Sequence, residues 1–97
     1  MLFAVICTDK PGGMDIRLAN RPAHIDWLKA PDSRIRIAGP FTTEDGAAMT
    51  GSLLVIEADS LEDARAYCAG DPYARAGLFS AVEIKPWKWV IGQPAEV

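Results

Sequence analysis

Leu2-Phe3-Ala4-Val5-Ile6-Cys7-Thr8 is apolar at odd and even positions alike. A strand turns successive side chains to opposite faces, so a run without alternation reads as a strand covered on both sides. Gly51–Ala58, built on Leu53-Leu54-Val55-Ile56, has the same character. Arg34-Ile35-Arg36-Ile37-Ala38 instead alternates strictly, the mark of a half-buried strand. Leu78–Lys85 loses its apolar character on one face toward its end. The first and third strands therefore take the middle of a sheet and the second and fourth its edges, which is the order 4-1-3-2.

The segments between these strands complete the pattern. Lys10-Pro11-Gly12-Gly13 punctuates the end of the first strand. Met14–Ala30 reads as helical. Pro22 lacks an amide hydrogen, so it is expected to divide this stretch into a helix to about Asn20 and a second from Pro22 to Ala30. Gly39-Pro40 is expected to stop the second strand, and Thr42–Thr50 is a loop. Ser60 is a natural N-cap, with Asp63 at N3 and Gly70 as the stop. Asp71-Pro72-Tyr73-Ala74-Arg75-Ala76-Gly77 reads as one helical turn with Asp71 capping and Pro72 at N1. Pro86-Trp87-Lys88-Trp89-Val90-Ile91 follows as an extended apolar tail.

The succession β-α-β-β-α-β with order 4-1-3-2 is an α+β, ferredoxin-like split βαβ sheet. Both helices then lie on one face. The other face would carry Phe3, Val5 or their neighbours, with Leu53 or Leu54, into water. A monomer rarely leaves such a patch open. The expectation is a homodimer packed sheet on sheet, with the tail around Trp87–Ile91 sealing the joint.

The 97 residues fit one domain, 1–97. Hydrophobic residues are 49% and charged residues 24%, so disorder throughout is excluded. The longest apolar runs fall far short of the roughly 20 residues of a membrane span, so no membrane partner is expected. The net charge is -3 and the ten Lys and Arg are scattered, which disfavours nucleic acid. Met1–Cys7 shows no basic n-region and no cleavage site, so no signal peptide is read. Cys7 and Cys68 are too few for a disulfide scaffold or thiolate metal site and read as reduced thiols of a cytoplasmic protein.

His24 is the only histidine. Imidazole is the usual acid or base near neutral pH. His24 shares a helix face with Trp27 and Leu28, at the edge of the core. It is either a neutral, hydrogen-bonded core histidine or a proton-transfer group. Asp71 could reach it. A carboxylate against an imidazole holds one tautomer and stabilises the protonated ring. Asp71 is equally an ordinary helix cap, and its two oxygens permit both roles. Arg21 could clamp an anionic ligand or be solvated. Tyr73 could donate a hydrogen bond in a pocket or pack on the sheet. Asp9 and Asp26 read as surface charges. There is no nucleophile motif, P-loop, dinucleotide fingerprint or His/Cys metal cluster, so no cofactor and no metal are expected.

Taken in order, several pieces resemble the YCII-related (YciI-like) family of small bacterial proteins. They are Leu2–Thr8 with Asp9-Lys10, Arg21-Pro22-Ala23-His24, and Ala38-Gly39-Pro40. Gly51-Ser52, Ser60-Leu61-Glu62-Asp63-Ala64, Asp71-Pro72-Tyr73 with Ala76-Gly77, and Ile84-Lys85-Pro86-Trp87 follow. The combination of Arg-Pro-Ala-His with a later Asp-Pro-Tyr is the most specific part. The resemblance implies a ferredoxin-like fold that dimerises into an α/β-barrel arrangement. It also implies an acid–base dyad at His24 and Asp71. In fold the family is similar to small dimeric enzymes acting on ring compounds, such as muconolactone isomerases.

Two functions follow. In the first, the protein is an enzyme of the lyase or isomerase type acting on a small cyclic or carbonyl compound. His24 moves the proton, Asp71 orients the ring, and Arg21 and Tyr73 hold polar groups of the small-molecule ligand. In the alternative, the chain is a noncatalytic metabolite-binding or assembly module, and the dyad is a satisfied polar plug.

Overall fold

Burial along the first strand alternates: Phe3, Val5 and Cys7 are buried, and their neighbours are partly open. That alternation fixes which face the helices cover. The computed structural model describes residues 1–94, so the last three residues of the expected 1–97 domain lie outside the described residues. Its strands are β1 (Leu2–Asp9), β2 (Ile35–Thr42), β3 (Met49–Glu57) and β4 (Phe79–Trp87). Its helices are α1 (Met14–Lys29), α2 (Leu61–Cys68) and the single turn α3 (Pro72–Arg75). The sheet is antiparallel in the order β2-β3-β1-β4, the expected 4-1-3-2 read from its other edge.

Strand register sorts the side chains. Phe3, Val5 and Cys7 pair with Ile56, Leu54 and Ser52, and these six form the helix-covered face. Ala58, Ala64 and Cys68 join that core, and Trp27, Leu28, Leu61 and Tyr67 pack against it. A Cβ at Gly51 would run into the Cys7 carbonyl, so β1 and β3 can approach there only because residue 51 is glycine. The opposite face carries Leu2, Ala4, Ile6 and Leu53, rather than Phe3, Val5 and Leu54. Ile37, Phe41 and Trp87 share that face and are exposed.

Three prolines behave differently from the expectation. Pro22 does not divide the first helical stretch; α1 runs unbroken from Met14 to Lys29. A proline inside a helix removes one backbone hydrogen bond and crowds the preceding turn. Here the residues on either side anchor the helix, with Arg17 and His24 both buried. Gly39-Pro40 does not stop β2, which continues to Thr42 with Pro40 opposite Ser52. Pro86 likewise lies within β4, opposite Phe3. Both are edge strands, where a missing donor on the outer side costs no ladder bond. In α2, Ser60 caps as expected, accepting from the Asp63 amide at 3.0 Å.

Candidate functional site

The site is assembled by α1 and α3 over the helix-covered face of the sheet. Arg17 and His24 are two turns apart on α1, so both point the same way, and both are buried. Asp71 caps α3: its Oδ1 accepts the Tyr73 amide at 2.9 Å. The same oxygen lies 2.8 Å from His24 Nδ1. Both side chains are nearly inaccessible, at 8% and 3% exposure, so little water competes with the contact. An ionised carboxylate only accepts, so the proton of a neutral His24 ring belongs on Nδ1. Nε2 is then the basic lone pair. It makes no hydrogen bond to the described residues, and His24 lines a cavity.

Tyr73 supports this pair twice. Its amide holds the Asp71 oxygen, and its ring stacks on His24 with centroids 3.9 Å apart and planes 14° from parallel. Arg17 lies over the same ring, with Cζ 4.7 Å from its centroid. Burial raises the Tyr73 hydroxyl above its ordinary range, and the positive charges of Arg17 and Arg21 oppose that shift.

Arg17 is the centre of a second network that sequence reasoning missed. Its Nε and Nη2 meet the two Asp9 oxygens at 2.9 and 3.0 Å. Nη2 also donates to the Gly51 carbonyl at 2.9 Å and to Ser52 Oγ at 3.0 Å. Burial works against the guanidinium charge, but Asp9 overrides it and holds Arg17 firmly charged. The Tyr73 side chain is a further partner that also favours the charged guanidinium. Asp9, read from sequence as a surface charge, is instead a buried partner, its side chain 6% exposed. Two signals could have revealed the network. Arg17 lies seven residues before His24 on one helix face, and Ser52 is polar at the parity of Leu54 and Ile56.

The cavity holds about 160 Å³ between α1 and the β2–β3 side of the sheet. An apolar cavity of about 150 Å³ suffices for benzene. Arg17, Ser52, His24 and Tyr73 supply its polar wall, and Met14, Leu28, Met49 and Leu54 much of its apolar one. Arg21 lines it from an exposed position and forms neither hydrogen bond nor ion pair with the described residues. Thus the structure brings His24, Asp71 and Tyr73 into contact and places Arg21 at the mouth. Among the described residues, no group of three or more His, Cys, Asp or Glu could hold a metal ion. Among the described residues no helix is long and apolar enough to cross a membrane. Burial pushes the Cys7 thiol up to about 12 and the Cys68 thiol to about 11, so neither is a ready nucleophile.

Comparison with known proteins gives a family and a fold. The model of the YCII-related domain matches residues 1–88. Protein YciI of Escherichia coli O6:H1 is 37% identical over 97 residues, covering 93% of this chain and 99% of that one. The 5-chloro-2-hydroxyhydroquinone dehydrochlorinase of Burkholderia phenoliruptrix AC1100 was solved in complex with 2,5-dihydroxybenzoquinone. It superposes with a TM-score of 0.80 at 36% identity, covering 91% of this chain and 94% of that one. Rv0793 of Mycobacterium tuberculosis gives a TM-score of 0.55 at 18% identity, covering 95% and 100%, and shares the fold alone.

Proposed function

Because the chain belongs to the YCII-related family, we propose that it is a small-molecule enzyme of the lyase or isomerase type, with His24 as the proton-transfer group and Asp71 as its orienting partner. The observation that carries this reading is the 2.8 Å contact between His24 Nδ1 and Asp71, with Nε2 left for the cavity. The similarity to a dehydrochlorinase that holds a six-membered ring supports it, as does a cavity sized for one ring.

In this reading Nε2 takes a proton from a ring carbon, and the freed C–H pair moves through the ring onto an oxygen that faces Arg17; where the proton comes from a ring hydroxyl, the pair stays on that oxygen. Asp71 stabilises the imidazolium that forms. The charge on oxygen then collapses. In an elimination it expels a leaving group with its bonding pair, and the proton on Nε2 passes to water. In an isomerisation the proton returns from Nε2 at a different carbon. Neither course needs a covalent nucleophile or a cofactor. Tyr73, and Arg21 at the mouth, hold polar groups of the substrate. The chain acts as one domain and as a cytoplasmic homodimer in an α/β-barrel arrangement, with its exposed sheet faces together.

Chloride release from 5-chloro-2-hydroxyhydroquinone is the first assay. Parent protein should turn over, and His24→Ala should lose about 10²–10⁴ in rate while keeping its folded circular dichroism, with a lowered melting temperature because Asp71 loses its buried partner. A His24→Ala protein as active as the parent would overturn the mechanism. Ligand binding without product from any chlorinated or lactone ring would favour the metabolite-binding module.

A further inference from the structure

We infer that the cavity selects an anionic ring compound, one whose carboxylate or ionised hydroxyl meets the Arg21 guanidinium at the mouth while the ring lies against His24. This deepens the proposed function and rests on its reading of the cavity as a ring site. The chain as a whole is acidic, with 13 Asp and Glu against 10 Lys and Arg. The cavity wall reverses that balance: two arginines and the histidine line it, and among the described residues no carboxylate does.

The two buried acids nearest this chemistry are already engaged. Asp9 holds Arg17, and Asp71 holds His24 and the Tyr73 amide. Neither lines the cavity. Arg21 is the unmatched charge. It lies four residues after Arg17 and three before His24, so all three share one helix face. It pairs with no acid among the described residues, yet its charge is felt at the Tyr73 hydroxyl beside His24. A guanidinium at the rim of an apolar cavity attracts an anion and binds it through a charge-assisted hydrogen bond. A neutral ring of the same shape gains neither. The anion also compensates the positive charge that His24 acquires on taking a proton.

Benzoate and benzamide separate these effects, because they share shape and differ in charge. Each is titrated into the full chain with the His24 ring signals as the NMR reporter. Benzoate should bind about three- to tenfold more tightly than benzamide. Arg21→Gln should abolish that preference, and Arg21→Lys should keep most of it. Raising salt from about 0.05 to 0.5 M should shrink the preference in the parent protein, a check that needs no variant. Equal affinities in the parent, or a preference that survives Arg21→Gln, would overturn the inference and leave the ring site standing. His24 signals indifferent to both compounds at millimolar concentration would overturn the ring site and this inference with it.

Discussion

Arg17 commits Nε and Nη2 to Asp9, Gly51 and Ser52, and this makes it a structural keystone as well as a wall of the cavity. Removing one partner of a buried pair leaves the other charge stranded. Arg17→Ala should therefore destabilise the fold by about 3–5 kcal/mol, read from urea unfolding. Adding Asp9→Asn should restore part of that loss, because the stranded charge is gone. Unchanged stability in Arg17→Ala would show the pair to be a surface-like contact. The contact of His24 with Asp71 was an open alternative on the residues alone, a cap or a partner, and the family resemblance is what pointed to the pair. The Arg17 network was not legible. It joins the end of β1, the start of β3 and the middle of α1, and no local period encodes a contact between segments so far apart in the chain.

At the scale of elements, the strand order was readable because the two central strands are apolar at both parities and the edge strands are not, although a bulge puts Ile35 and Ile37 of β2 on opposite faces instead of one. Proline was the misleading signal. It deletes a single donor, and whether that matters depends on where the donor would have pointed. β2 and β4 are edges, so Pro40 and Pro86 extend rather than end them. In α1 the deficit is real, since Pro22 sits in the interior. Pro22→Ala should restore a helix hydrogen bond and stabilise the protein by about 1–2 kcal/mol, a helix-propensity gain partly offset by a freer unfolded chain. A lowered melting temperature would show instead that the proline shapes α1 usefully.

The whole molecule presents a sheet with one face packed by helices and the other without a helix layer, where Val55 is buried and the residues around it are partly open. Ile37, Phe41 and Trp87 project from that second face beside Leu2, Ile6 and Leu53. Exposed apolar surface of this kind favours self-association. Light scattering at micromolar concentration should give twice the 10.5 kDa chain mass, and Leu53→Lys should return it to one chain. A single-chain mass for the parent would refute the homodimer. The sequence disclosed that one sheet face would lack a helix layer. Which residues occupy it depended on register, which hairpin and crossover geometry set rather than composition.

One oxygen of Asp71 both starts a helix turn and faces the imidazole. That sharing changes how descendants of such a protein should be read. A lineage that abandons the chemistry is still under selection to keep an aspartate at this position for the sake of the turn, so its persistence is no record of activity. Position 24 is tied to it, because a replacement there strands a buried carboxylate and unstacks the Tyr73 ring. In a gene survey, then, neither letter alone reports activity.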